Sequence, residues 1–287
     1  RLGKGTSYGI KRVNHFIHSC SENYKKDCYI LKLDIKGYFM AIDHHILYQK
    51  VENTLNCFKK EANFDVDFVL RLIHKIVFHD HIKNCRVKGK KDDWTGLPKS
   101  KSLFWTEKNK GLPIGNLTSQ LFGNIYLNDF DHFVKYKLGC EYYGRYVDDI
   151  IIVHSDKKYL KSIIPVIGSY LRRNLSVELH PNKIYLQYFS RGLNFLGVVI
   201  KPYRIYISNK TKGNFDKKIL YWNNLLANDR FSEETMTKFL CSINSYLGIM
   251  KHYNTYKLRR KIIIKNFLPF FTKYAYVSLN YDKINLK

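Results

Sequence analysis

The sequence predicts an α+β fold, an antiparallel sheet with packed helices followed by a helical segment. Three observations carry this. Residues 29–34 alternate with period two, setting Tyr29, Leu31 and Leu33 on one face and Ile30, Lys32 and Asp34 on the other, as a strand does. Two apolar runs, 140–146 and 149–153, flank Val147-Asp148 and predict a β-hairpin with acids at its tip. Beyond about residue 208 the apolar spacing becomes helical and no strand is expected.

The remaining elements follow in order. Asp43 precedes His44-His45-Ile46-Leu47 and is predicted to cap a helix through its carboxylate. Residues 68–77 have helical apolar spacing. Residues 83–110 are polar, basic and glycine-containing, and are expected to form a loop or short hairpin. The turn Gly111-Leu112-Pro113-Ile114-Gly115 should lead into a helix from about 119 to 137, burying Leu121, Ile125, Phe130 and Phe133 or neighbours at similar spacing. A helix over 157–171, short strands around 185–199 and a strand over 203–207 complete the pattern. The change of periodicity places a domain boundary near residue 208, dividing the chain into 1–207 and 208–287.

Composition limits the partners. The 287 residues suffice for a sizeable core, and 45% are hydrophobic, so the chain should be globular. No apolar run approaches the roughly 18 residues that span a bilayer. Forty-nine Lys+Arg against 24 Asp+Glu give a formal charge of +25, which predicts a polyanionic partner. Six cysteines form no CxxC pair, and reduced thiols in the cytoplasm are the simple reading. His74, His79, His81 and Cys85 match no standard zinc spacing. The chain opens on Arg1-Leu2-Gly3-Lys4-Gly5-Thr6, which reads as a turn already inside a fold, so the sequence is expected to begin partway through a longer protein.

Asp148 and Asp149 are adjacent carboxylates in an apolar hairpin, and their repulsion needs compensation. A divalent cation would supply it, and so would a solvated polar tip. Two-metal phosphoryl transfer needs carboxylates bridging both ions, one ion activating a 3′-hydroxyl and the other stabilising the leaving pyrophosphate. Asp34, at the end of a second strand, is the third candidate acid.

Four ordered motifs resemble those of reverse transcriptases: Leu33-Asp34-Ile35-Lys36-Gly37-Tyr38-Phe39, Gly111 to Gln120, Tyr146-Val147-Asp148-Asp149 and Asn194-Phe195-Leu196-Gly197. The resemblance implies a right-hand polymerase palm with partial fingers over 1–207 and an all-α thumb over 208–287. It implies RNA-directed DNA synthesis with two Mg²⁺ ions, Mn²⁺ being a possible substitute. Asp34 and Asp148 would be direct ligands, Asp149 a weaker one, and Ile35 would contribute its backbone carbonyl. Lys183 matches a lysine placed to protonate the leaving pyrophosphate. Arg1 and Lys4 would grip the triphosphate, while Lys36, Gly37, Tyr38 and Phe39 would line the nucleotide, with the Phe39 ring excluding a 2′-hydroxyl. Ile114, Gly115 and Gln120 would flank the incoming base. Tyr146, Phe195, Leu196 and Gly197 would hold the primer, and Lys257, Arg259, Arg260, Lys261 and Lys265 would contact duplex phosphates.

Within the family, Ile114-Gly115-Asn116-Leu117-Thr118-Ser119-Gln120, the opening Arg1-Leu2-Gly3-Lys4-Gly5-Thr6 and Asn244-Ser245-Tyr246-Leu247-Gly248 resemble the enzymes of diversity-generating retroelements. Those enzymes copy a template RNA with errors at adenines and work with a small basic accessory protein. The resemblance implies a bacterial or phage-encoded cytoplasmic protein that uses template RNA, a DNA or RNA primer and dNTPs, with no membrane. Ile114 stands where retroviral enzymes carry Gln and cannot hydrogen-bond the substrate. A retron or phage-defence reverse transcriptase and a non-catalytic basic nucleic-acid-binding module are the alternatives. If Phe39 gates the sugar, Phe39→Ala will incorporate ribonucleotides at least tenfold better relative to deoxynucleotides; an unchanged ratio in primer-extension assays removes the gate.

Overall fold

A computed structural model describes residues 3–83, 85–86, 89–90, 92, 95–227, 232–266 and 275–287. The chain divides into two compact units, Lys11–Tyr188 and Arg1–Ile10 with Phe189–Lys287. Helix α1 (Thr6–Cys20) leads into the larger unit. There, strands β1 (Tyr29–Asp34), β2 (Tyr142–Tyr146), β3 (Asp149–His154) and β4 (Tyr185–Tyr188) form an antiparallel sheet in the order β2-β3-β1-β4. The strand and hairpin expected from the alternation are both present.

Each side of this sheet is covered. Leu31 and Leu33 face Ile150 and Ile152 in a core completed by Leu160, Ile163, Ile167 and Leu171 of α7 (Lys157–Leu175). Full burial of such aliphatic side chains contributes roughly 1.5–3 kcal/mol each. On the opposite face Ile30, Ile151 and Val153 are also buried. Phe16 of α1 packs there against Gly144, where any Cβ would lie 3.2 Å from the ring.

Helices α2 to α6, within residues 38–132, lie between the first two strands in sequence. After the short α2 (Tyr38–Ala41), Asp43 caps α3 (His44–Cys57), accepting from His45 N at 2.9 Å and Ile46 N at 3.1 Å, as its position predicts. Asp65 caps α4 (Val66–Val77) in the same way through Phe68 N. Among the described residues of 83–110 there are short 3₁₀ turns, Lys99–Lys101 and Leu103–Trp105, and no hairpin.

The single helix expected over 119–137 is broken. It comprises α5 (Leu117–Tyr126) and α6 (Asn128–His132), which runs into a π-helical turn, Phe133–Lys137. Its core stripe is Phe122, Tyr126, Phe130 and Val134, spaced by four. Leu121 is exposed at 57%, so only Phe130 of the expected set lies fully in the core. Tyr126 can occupy that stripe because its hydroxyl donates to the Leu175 carbonyl at 2.6 Å.

In the smaller unit β5 (Leu193–Phe195), β6 (Val198–Lys201) and β7 (Arg204–Ile207) form an antiparallel sheet. The expected change to helices occurs where β7 gives way to α8 (Asn209–Ala227), followed by α9 (Glu233–Met250) and α10 (Tyr256–Asn266). The all-helical expectation for this segment is corrected, because β8 (Ala275–Val277) pairs with β9 (Ile284–Leu286). Asn244 clamps that hairpin, donating to Ile284 O at 2.8 Å and accepting from Ile284 N at 2.7 Å. Phe215, Trp222, Phe239, Ile243 and Leu247 form this unit's core. Among the described residues no helix is long and apolar enough to cross a membrane.

His44 joins α3 to the turn at Gly111, its Nε2 lying 2.7 Å from the Gly111 carbonyl. Burial holds its imidazole below the usual histidine value, outweighing that hydrogen bond. The unfolded chain therefore binds the proton more readily. This stability is intact above about 6.5, the ordinary histidine pKa, and is lost as pH falls through the lower folded value. Denaturant titrations between pH 7 and 5 should show the native chain losing more stability than His44→Gln. Parallel loss would remove His44 as the cause.

Candidate active site

The register of β1 against β3 sets Asp34 directly opposite Asp149 at one end of the sheet. Like charges so placed destabilise a strand pair. Two lysines offset them. Lys32, two residues before Asp34 and therefore on the same face, lies diagonally across from Asp149 and reaches its Oδ1 at 2.9 Å. Lys183 Nζ donates to both carboxylate oxygens of Asp34 at 3.0 Å.

The chain after β1 explains how Lys183 arrives there. Lys36 N donates to Glu178 O at 2.8 Å, Ile35 bridges Leu179, and His180 N donates to Asp34 O at 2.7 Å. This lays residues 178–180 alongside β1, and the 3₁₀ turn Pro181–Lys183 then returns the lysine to the strand end. The Ile35 side chain is buried in the core.

Asp148 occupies a two-residue turn between paired Tyr146 and Asp149. Val147, the other turn residue, has φ +57°, a left-handed conformation that is costly for a β-branched side chain. Burial pushes the Asp148 carboxyl above its usual range, and the nearby Asp34 and Asp149 add to the rise against Lys183.

The two remaining motifs of this unit meet through α2. Leu112 N donates to Phe39 O at 2.8 Å, and the Tyr38 hydroxyl donates to the Gly123 carbonyl of α5. Phe39 is half-buried, and a Cβ on Gly123 would lie 3.3 Å from its ring. Gly37 has φ +55° and the Ser100 carbonyl would lie 2.7 Å from a Cβ there, so no larger residue fits. Gly115 has φ +111° and faces open space. Ile114 is 71% exposed, and Leu117, Gln120 and Leu121 continue an exposed face from it.

Asp34, Ile35, Lys36, Gly37, Tyr38, Phe39, Ile114, Gly115, Gln120, Tyr146, Asp148, Asp149 and Lys183 thus all belong to the larger unit. Arg1 lies outside the described residues. Lys4, in the other unit, sits over the Tyr8 ring at 3.9 Å. In that same unit Phe195 is buried, and Leu196 (φ +48°) and Gly197 (φ +84°) make the turn from β5 to β6. Lys257, Arg260, Lys261 and Lys265 are exposed on α10. Arg259 is not available to a phosphate and that expectation is corrected. It is 6% exposed and donates to Asn280 O at 2.8 Å and Thr255 Oγ1 at 3.2 Å.

Among the described residues no three metal-ligating side chains converge as a ready-made cage. The donor chemistry nevertheless suits a hard divalent cation. Three carboxylates gather where Asp148 resists ionising, and Mg²⁺ commonly takes one or two carboxylates and completes its shell with water and phosphate oxygens. Sequence reading missed Lys32, Arg145 and Asp131. Only Lys32 left a signal, its period-two spacing from Asp34.

The family described as reverse transcriptase (RNA-dependent DNA polymerase) matches residues 4–200. Solved structures of telomerase from Candida tropicalis share the fold. The apo form has a TM-score of 0.53 at 15% identity, over 93% of this chain and 47% of that one. The apo form truncated of its C-terminal domain has 0.52 at 16%, over 71% and 40%. The complex with the TWJ fragment of telomeric RNA has 0.52 at 15%, over 92% and 46%. The chain thus spans less than half the length of these structures. No curated protein matches it.

The Lys32–Asp149 pair is 18% and 24% exposed on its two side chains. Removing one partner of a buried pair strands the other charge. Lys32→Met should cost about 1–3 kcal/mol in metal-free protein, less than a fully buried pair because both groups retain some solvent. Adding Asp149→Asn should recover most of it. Equal stability of the native chain and Lys32→Met in urea would show the pair to be idle.

Proposed function

Because the chain belongs to the reverse transcriptase (RNA-dependent DNA polymerase) family, we propose that it copies an RNA template into cDNA from dNTPs on a DNA or RNA primer. The observation that carries this is the meeting of Asp34, Asp148 and Asp149 at the sheet end, with Lys183 on Asp34. In this reading Asp34 and Asp148 hold two Mg²⁺ ions, with the Ile35 carbonyl beside them and Asp149 contributing less directly. The ions supply the charge that activates the primer 3′-hydroxyl and stabilises the leaving pyrophosphate.

The protein's own groups do the rest. Lys183 Nζ, which donates to the Asp34 carboxylate, would give its proton to the leaving pyrophosphate oxygen. Lys36 attracts the triphosphate, and Tyr38, braced on the Gly123 carbonyl, fixes the Phe39 ring beneath the sugar. Phe195, Leu196 and Gly197 support the primer, and the exposed cations of α10 bind duplex phosphates.

We further propose the error-prone enzyme of a diversity-generating retroelement, assisted by a small basic accessory protein. Ile114 supports this. It is an exposed apolar side chain at the turn expected to face the base pair, and it offers no hydrogen bond to test the base. The deciding experiment is synthesis on the co-encoded RNA by the full-length protein and by Asp148→Asn, followed by cDNA sequencing. The variant should make no product, and native cDNA should carry substitutions concentrated at template adenines. Retained synthesis by Asp148→Asn removes the polymerase assignment; errors spread evenly over the four bases remove the retroelement assignment alone.

A further inference from the structure

Arg145 lies on β2 just before the catalytic turn, and neither the motifs nor the family match gives it a task. Its guanidinium is fully engaged. Nη1 donates to the Val147 carbonyl at 2.8 Å. Nε and Nη2 donate to the two oxygens of Asp131 at 2.7 and 2.6 Å, a bidentate pair that fixes the plane of the group. The Arg145 side chain is 7% exposed and Asp131 29%. The Tyr143 hydroxyl also donates to Asp131 Oδ1, holding the carboxylate from a second side. Burial opposes the charge on Arg145, and Asp131 outweighs it, so the arginine stays protonated.

The carbonyl that the Arg145 side chain holds belongs to the strained residue. Val147 at φ +57° is a conformation worth roughly 1–3 kcal/mol in cost, and such residues persist where surrounding structure over-determines them. A buried guanidinium tied to α6 meets that need. Val147 is joined directly to Asp148, so the carbonyl that Arg145 grips sets the peptide plane from which Asp148 departs.

We propose that Arg145 and Asp131 are positioning residues that lock the left-handed turn and thereby aim the Asp148 carboxylate. This rests on the polymerase reading for its consequence in catalysis, though not for its consequence in cation binding. A lysine at 145 keeps the charge but cannot reach the Asp131 fork and the Val147 carbonyl together. An asparagine at 131 keeps the shape and loses half the fork. Tyr143→Phe removes only the second hold on Asp131, and serves as the variant that folds if the other two do not.

The test uses full-length protein in three measurements: melting temperature without divalent ion, Mn²⁺ affinity by electron paramagnetic resonance, and single-turnover extension against dNTP concentration. Arg145→Lys and Asp131→Asn should lower the extension rate at saturating dNTP by on the order of ten- to hundredfold, as a misaimed group does. Their KM for dNTP should stay within about twofold, and Mn²⁺ should bind several-fold more weakly. Tyr143→Phe should shift both in the same direction by less. Folded variants with native Mn²⁺ affinity and native rate overturn the proposal. So does a rate loss that restoring fold with a stabilising osmolyte abolishes, which would mark the pair as merely structural. If the native protein extends no primer, the polymerase reading fails, and the Mn²⁺ comparison still decides whether this pair aims Asp148.

Discussion

The in-register antiparallel pairing of β1 with β3 is the constraint on which the site depends. Six residue pairs run from Tyr29 opposite His154 to Asp34 opposite Asp149. Because side chains alternate, a slip of one residue would turn Asp34 toward the core of Leu31, Ile150 and Ile152 and turn Leu33 toward the face of the acids. The apolar face formed by Leu31, Leu33, Ile150 and Ile152 therefore protects the register of the acids on the other face. The acid-bearing face is itself buried farther along the strands, at Ile30, Ile151 and Val153, so the chemistry is confined to its end.

Gathering acids at a strand end works against folding, and the surrounding charges moderate the cost. Lys32 and Lys183 each take one acid, leaving Asp148 as the carboxylate whose ionisation is disfavoured. Such an arrangement leaves negative potential for a cation to satisfy, inside a protein whose formal charge of +25 draws polyanions toward it. Long-range attraction and short-range coordination thus have opposite signs, as a site handling both phosphates and their counter-ions requires.

What the sequence made legible follows from periodicity and local chemistry. Asp34, the hairpin and the Asp43 cap were readable because period-two alternation and side-chain capping are encoded within a few residues. The α5–α6 stripe was misplaced because Leu121 and Phe122, or Ile125 and Tyr126, are adjacent apolar choices that spacing alone does not separate. The tyrosine's buried partner, the Leu175 carbonyl, is far away in sequence. The β8–β9 hairpin escaped because each strand has three residues, too few to show a period. Arg145 and Arg259 are identical residue types, yet one holds the Val147 carbonyl of a turn and the other ties Asn280 to its own helix. Only tertiary burial distinguishes either from a solvated charge.

The sheet order has a consequence for how such a chain is made. β1 precedes both of its neighbours in the sheet, β3 and β4, so its hydrogen-bonding partners are among the last of the larger unit to emerge. During translation its apolar face stays uncovered while α2 to α6 and the segments joining them are added. Pairings of this separation form slowly and leave strand edges open to other chains. The three aspartates therefore cannot meet until the β2–β3 hairpin has been synthesised, long after the strand that carries Asp34.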